Sequence, residues 1–569
     1  YKYIALKQII PEYMKKMILA ACTAVLFLNA CDTPAKLVSI PVENVDNNPL
    51  KIAPLSEETE KSWSSKDLLK DTIPGMSVDL AYDEFIKTGG VPVIVGVIDS
   101  GVDIEHEDLK DKIWVNAKEI PGNNKDDDNN GYVDDIHGWN FLGDVVEEQL
   151  EFSRIIQKYE PMYKGKTVSQ IPEKEKETFQ MYKDARAEYD EQYNELIEQK
   201  NQYDQIVEVV KAAHADVSQK LGKEDYNAEE LEKIDASTPN DQRNKAILTQ
   251  MLSYEPTIPK FLTMIGEELE NMNDRLASNF SLDADYRKVL GDDPNDIKDD
   301  VYGNNNVMGP DADGALHGTH VAGIIAAERN NNLGMNGVAN DNIKIMVVRA
   351  VPDGDERDKD IALAFRYAVD NGAKVINTSF GKYFSTNPEW VYDAIKYAAK
   401  RDVLIVNAAG NDAVDLDGGE AIYPNDQLDN IEEFADNFIT VGALNETYGG
   451  ELVAPFSNYG KTNVDVFAPG MRIYSTVPDN KYEFLQGTSM ASPEVAGVAA
   501  MLRSYYPQFS AAQIKQILMQ SGATTNTAVI VGGDPENTKK FSELSKSGKM
   551  VNMYNAFKMA QLSTQNTNL

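Results

Sequence analysis

The stretch VPVIVGVIDSGVD, residues 91–103, decides the fold. Its apolar run has no polar alternation, is dominated by β-branched residues, and ends on Asp and Gly. A strand of this kind is buried on both faces, as strands of parallel sheets are. Two further runs match it, IKIMVVRAV (343–351) and VLIVNAAGN (403–411), with the shorter KVINTSFG (374–381) between them. Segments of helical spacing alternate with these strands, DIALAFRYAVDNG (360–372) and PEWVYDAIKYAAKRD (388–402), each closing on Gly or a charged residue. The alternation predicts an α/β fold with a central parallel sheet and helices on both faces. Functional groups then collect at the carboxyl ends of the strands.

A different composition fills residues 145–295, dense in Glu, Lys, Gln and Tyr. Tyr182, Tyr189, Leu196, Tyr203 and Val210 fall seven apart, with Tyr193 and Val207 between them. A seven-residue apolar repeat predicts a long amphipathic, coiled-coil-like helix. Its return arm is expected over about 241–280, where IPKFLTMIGEELENM (258–272) has helical spacing. The segment therefore reads as an inserted α-helical subdomain, with the tyrosine stripe as packing. It divides the α/β body into 63–144 and 296–562, followed by a tail, 563–569. Before the body, a helical stretch is expected over roughly 63–88, and the polar, Pro-containing residues 32–62 read as a linker.

Residues 14–31, MKKMILAACTAVLFLNAC, place two lysines before an apolar run too short to span a bilayer, the pattern of a secretory signal. Residues 1–13 precede Met14 and are read as lying upstream of the start. The tetrapeptide LNAC (28–31) resembles a bacterial lipobox, which implies a lipid on Cys31; an ordinary signal with a chance Cys is the alternative. The lipobox reading implies a cell-envelope or extracellular lipoprotein, held at a bacterial membrane by its lipid alone. Cys22 and Cys31 are the two cysteines, so the rest of the chain forms no disulfide. A net charge of −36 argues against nucleic-acid and anionic-membrane partners, and 42% hydrophobic with 26% charged residues is ordinary globular composition.

Five histidines, His106, His137, His214, His317 and His320, make the search for a general base short. His214 lies among charges in the insertion and is expected to face solvent. His317 and His320 stand three apart in HGTHVAGIIAAE (317–328), without the gap of four and intervening Glu of a zinc-peptidase helix. Asp99 ends the buried strand, His317 opens an apolar helix, and Ser489 opens another in GTSMASPEVAG (487–497). A serine becomes a nucleophile when an imidazole takes its proton and a carboxylate holds that imidazole. The small residues around Ser489 let a peptide backbone and a second helix approach, and the Ser489 N–H at the helix terminus suits a developing oxyanion.

Asp99, His317 and Ser489 in that order, with their flanks, resemble the subtilisin-like serine peptidases, the subtilases. The resemblance implies a subtilisin-like three-layer fold and a serine endopeptidase that cleaves polypeptides through an acyl-enzyme intermediate. It implies catalytic roles for Asp99, His317 and Ser489. In AAGND (408–412) it makes Asn411 the oxyanion donor alongside Ser489. INTSFG (376–381) resembles the substrate-pairing strand, Ser379 to Gly381, and a groove lined by Phe380, Ala408, Ala409 and Gly410 would take extended, fairly apolar substrates. SNYG with DVFAPG (457–470), SAAQIKQILMQSGA (510–523) and VNMYNAFKMA (551–560) extend the likeness, which covers about 63–142 and 300–562. Glu494, Phe380 and Thr378 depart from the family's usual residues, which puts specificity in question.

Calcium is the expected ion. DDDNNGYVDD (126–135) sets Asp126, Asp128, Asn130 and Asp134 around Gly131, like the first part of an EF-hand loop without its closing Glu. An Asx-rich solvated turn is the alternative. Asp108 in HEDL (106–109) matches a calcium position in many subtilases, or is a helix-cap or surface residue. No folding prodomain pattern is found between Cys31 and the first strand, so the insertion could restrain the site. Against the peptidase stands a surface protein that binds peptides or partners through its helical arm. The sequence leaves the oligomeric state open.

Overall fold

Strands with no polar face need cover on both sides, and the helices supply it. A computed structural model of the protein describes residues 36–567, apart from 43–44, 47–48, 52, 88, 420 and 429–431. The signal sequence and Cys31 lie outside the described residues. Seven parallel strands form the sheet: β1 (Val93–Asp99), β2 (Gly138–Asn140), β3 (Ile343–Arg349), β4 (Ala373–Thr378), β5 (Leu404–Ala408), β6 (Phe438–Leu444) and β7 (Val466–Pro469). Their order across the sheet is β2-β3-β1-β4-β5-β6-β7, which puts β1 near the centre with Asp99 opposite Arg349 of β3.

The longer helices are α1 (Glu151–Tyr163), α2 (Lys176–Leu221), α3 (Pro239–Met251), α4 (Ile258–Ala277), α5 (Leu316–Ala326), α6 (Asp358–Asp370), α7 (Pro388–Lys400), α8 (Thr488–Tyr505), α9 (Ala511–Ser521) and α10 (Met553–Thr567). Period-two alternation divides β1 between the two apolar layers. Val95 and Val97 join α5, α8, α9 and α10, while Ile98 joins α6 and α7. Each fully buried aliphatic side chain stabilises the fold by roughly 1.5–3 kcal/mol relative to exposure. Gly96 is part of this fit: a Cβ there would stand 3.1 Å from the Ala368 methyl of α6. The result is the three-layer α/β architecture that the alternating runs imply.

Three expectations for the flanks need correction. Residues 63–88 do not form one helix but a 3-10 turn (Trp63–Ser65) and two short helices (Leu68–Asp71 and Val78–Glu84). Gly75 shows why: any Cβ there would run into the carbonyl oxygens of Trp63, Ser64 and Lys66, so the chain folds tightly back on itself. The supposed linker is packed over its described part. Val45 is buried and its carbonyl accepts from Tyr448 Oη at 3.0 Å, while the Val38 N–H donates to Ser563 Oγ at 2.9 Å. The supposed tail, to which Ser563 belongs, continues helix α10.

The insertion is built on α2, whose 46 residues span about 69 Å at 1.5 Å per residue. Tyr182, Tyr189, Leu196 and Val210 are buried along one side. They serve two separate apolar clusters. The proximal one contains Phe152, Tyr189, Leu196 and Phe280; the distal one contains Val210, Leu248 and Phe261. Tyr203 lies half-buried where the two meet. The return arm is two helices, α3 and α4, because a helix cannot donate a backbone bond through Pro256. His214 is half-buried rather than solvent-facing, and its Nδ1 bonds Tyr226 Oη at 3.0 Å.

Glu494 on α8 is fully within the core, with Oε2 lacking any hydrogen-bond partner among the described residues. Burial pushes its carboxyl up to about 8, only partly offset by a hydrogen bond from Ser64. The folded state therefore holds a proton that the unfolded chain releases above its ordinary value of 4.5. Stability from this group is complete below that value and declines as pH rises toward 8. Glu494→Gln is expected to match the native melting temperature near pH 4 and to exceed it increasingly up to pH 8, as read by calorimetry across that range.

Candidate active site

The end of β1 meets the start of α5 through Asp99 and His317, and the start of α8 meets the end of β4 through Ser489 and Ser379. Asp99 is the last residue of β1, and its Oδ1 accepts from the Ser100 N–H at 2.7 Å and from His317 Nδ1 at 2.7 Å. Its other oxygen, Oδ2, is buried without a partner among the described residues. His317 is the second residue of α5. Gly318 lets that helix sit directly on the end of the strand, since a Cβ would collide with the Gly101 carbonyl and crowd Asp99 Cβ. The His317 side chain is 37% exposed, so one edge is buried against the carboxylate and the other faces the cleft. Burial pulls its pKa down, but the Asp99 carboxylate outweighs this and holds it above the ordinary 6.5.

The other histidines are occupied by backbone or, for His214, by a tyrosine. His106 Nε2 meets Lys481 O and His137 Nδ1 meets Trp114 O. His320 meets Glu483 O, and burial pushes it down to about 3. Among the described residues His317 alone pairs with a carboxylate.

Ser489 is the second residue of α8 and half-buried. Pro493 stands four residues on, so it offers no N–H to the Ser489 carbonyl. Ser379 fills that vacancy: its Oγ donates to Ser489 O at 2.8 Å, while Ser489 Oγ donates to Ser379 O at 3.0 Å. The end of β4 and the start of α8 are thus stitched together twice. Asn377 Nδ2 donates to Ser379 Oγ at 3.0 Å, and Ser492 Oγ donates back to Asn377 Oδ1 at 2.8 Å. In this resting arrangement the hydroxyl proton points to Ser379, and it must rotate to reach an imidazole.

Asn411 follows β5, and its Oδ1 accepts from both the N–H and the Oγ1 of Thr488, at 2.8 and 3.0 Å. That fixes the amide orientation. The Asn411 amide and the Ser489 N–H crowd the same spot, all within 3.6 Å of where a Cβ on Gly487 would be. Phe380 is half-buried and Gly381 exposed, as an open strand edge requires. The resemblance expects Ala408 and Ala409 in the groove. Both are buried, and Ala409 joins an apolar cluster with Leu416 and Ile422. Gly410 is half-buried, and its N–H donates to Thr488 Oγ1.

The acidic loop differs from its sequence reading. Asp126 and Asp128 converge, but with Glu119, their ligand oxygens lying within 4.8 Å of one another. Asp134 is elsewhere, accepting from the N–H groups of Asn123 and Asn124. Asn130 is also engaged, donating to Asp135 and accepting from Tyr132 N. Asp108 belongs to a separate place, where Asn331 Nδ2 donates to it at 2.6 Å and burial raises its pKa. Glu119 was missed because a loop-closing carboxylate is sought after the loop, whereas this one precedes it. Its Oε1 accepts from the Asp127 and Asp128 N–H groups, and its Oε2 is buried without a partner among the described residues.

A sequence model of the Subtilase family matches residues 90–535, more than half of the chain. The thermophilic serine proteinase of Bacillus sp. (strain AK1) is 44% identical over 189 residues, covering 33% of this chain and 42% of that protein. The cell wall-associated protease of Bacillus subtilis (strain 168) is 32% identical over 302 residues, covering 52% of this chain and 30% of that protein. Subtilisin Savinase of Lederbergia lenta is 35% identical over 229 residues, covering 40% of this chain and 77% of that protein. The chain thus spans less than half the length of the first two.

The double stitch between Ser379 and Ser489 is open to a direct measurement. Ser379→Ala leaves the Ser489 carbonyl and the Asn377 amide unpaired, which is expected to cost about 1–3 kcal/mol in urea unfolding.

Proposed function

The chain belongs to the subtilase family, and from that premise we propose that it is a serine endopeptidase acting on polypeptides. The observation that carries the reading is the 2.7 Å bond from His317 Nδ1 to the buried Asp99 carboxylate, at a helix start facing the cleft. A carboxylate can only accept, so Nδ1 carries the proton and Nε2 keeps its lone pair for the nucleophile. Ser489 Oγ turns from Ser379 O, gives its proton to His317 Nε2 and attacks the scissile carbonyl carbon. Asn411 Nδ2 and the Ser489 N–H receive the oxyanion. His317 then returns the proton to the leaving amine, and water, deprotonated by the same imidazole, releases the acyl group from Ser489. Asp99 keeps its hydrogen bond to Nδ1 and stabilises the imidazolium.

Three carboxylates with one buried, unpartnered oxygen at Glu119 fit a hard, oxygen-seeking cation, and calcium is the ion we assign to Glu119, Asp126 and Asp128. It would neutralise their repulsion and pin the loop that precedes β2. The lipobox reading of Cys31 and the name of the cell wall-associated relative support a place at the cell envelope, tethered by lipid. No helix among the described residues is long and apolar enough to cross a membrane.

A fluorophosphonate should label the native protein at neutral pH and leave Ser489→Ala unlabelled; an unlabelled native protein would favour the peptide-binding reading. Because the base must be neutral, activity is expected to fall as pH drops through a His317 pKa above 6.5, and Asp99→Asn should lower kcat about 10⁴-fold. Asn411→Ala should cost about 10²–10³ in kcat, the size of that loss in subtilisin. Chelation should lower the melting temperature, and Glu119→Gln should shrink that drop. A site filled at a hundredfold excess over its Kd contributes about 2.7 kcal/mol.

A further inference from the structure

The chain leaving the substrate-pairing strand is tied to the helical insertion. Lys382, one residue past Gly381, is buried with Glu151, the first residue of α1, and Asp358, the first of α6. Lys382 Nζ lies 3.1 Å from Glu151 Oε2 and 2.9 Å from Asp358 Oδ1, and donates to Glu356 O at 2.7 Å. All three ammonium protons are placed. The Lys382 backbone is held as well, exchanging bonds of 3.0 and 2.8 Å with Tyr423.

Further along, Thr386 Oγ1 donates to Glu151 Oε1 at 2.9 Å, and Phe384 rests on the proximal apolar cluster of the insertion. On the other side, Tyr383 Oη bonds the carboxylate of Asp412, the neighbour of Asn411. One short segment therefore touches the insertion, the open strand edge and the oxyanion loop.

Nothing in peptide hydrolysis requires these buried ion pairs, Glu151 with both Lys382 and Arg154 and Lys382 with Asp358, at this place. Such pairs gain little stability over apolar residues of the same size, because both charges must be desolvated. What they supply is direction, since a buried charge has few places to go. We propose that Glu151 and Lys382 are positioning residues through which the insertion sets the Ser379–Gly381 edge for extended polypeptide substrates. The proposal rests on the peptidase reading. An extended peptide pairs its backbone with this edge and depends on its placement, whereas a small ester needs only the nucleophile and the oxyanion donors.

Glu151→Gln and Lys382→Met in the full chain test it with three probes: fluorophosphonate labelling, a small nitrophenyl ester, and peptides that fill the strand edge. Labelling and ester turnover are expected to stay within about twofold, while KM for the longer peptides rises about tenfold in Lys382→Met with kcat little changed. Lys382→Arg should recover most of the KM. A folded variant whose peptide KM is unchanged, or whose ester and peptide rates fall together, overturns the proposal. Should Lys382→Met fail to fold, Glu151→Gln, which keeps volume and acceptor, decides by the same comparison. Native protein that resists labelling would overturn the peptidase reading itself, a separate result.

Discussion

The missing hydrogen bond at Pro493 is the constraint around which the centre of the molecule is arranged. A proline one turn into a buried helix leaves the carbonyl of Ser489 without its helical donor, and a buried carbonyl cannot be left bare. The Ser379 hydroxyl takes that place, which brings the end of β4 against the start of α8. Once the two are joined, the neighbouring end of β5 brings Asn411 to the helix terminus through Thr488. The small residues Ala491, Ser492, Ala496 and Gly497 complete the arrangement, letting α8 run buried from Met490 to Ser504.

On the other side of the cleft the organising force is electrostatic. A buried carboxylate at the end of a strand with no wet face needs a cationic or donating neighbour, and His317 supplies one beside the Ser100 N–H. Other buried charges in the chain follow the same rule. Lys515 sits among Glu433, Asp426 and Asp465, and Arg287 bridges Asp292 and Asp360.

The sheet was legible because its strands are buried on both faces, which leaves an unbroken apolar run in the sequence. The heptad along α2 was legible for a related reason: one helix meets its partners along one stripe. What escaped is set by contacts between distant residues. Gly75 looks like an ordinary breaker until the three carbonyls around it are seen, and the polar stretch before Trp63 gave no hint that Val45 docks beneath Tyr448. Glu119 stands seven residues before Asp126, and no local pattern joins a carboxylate to a loop that has yet to begin. Ala409 was placed in the groove by analogy, while its methyl turns inward to Ile422 and Leu416.

The two clusters meet around Tyr203, and α4 runs through both as α2 does, with Phe261 and Ile265 in the distal cluster and Met272 in the proximal one, so the outer part of the arm is carried on two antiparallel rods. Each part is secured by its own neighbours, as in proteins built from stacked repeats. Adding or deleting seven residues of α2 beyond Tyr203, with a matching seven in α4, would preserve which side of each rod is apolar while moving the tip by about 10.5 Å. The length of the arm is therefore a nearly independent variable, adjustable in discrete steps with no change to the chemistry at its root.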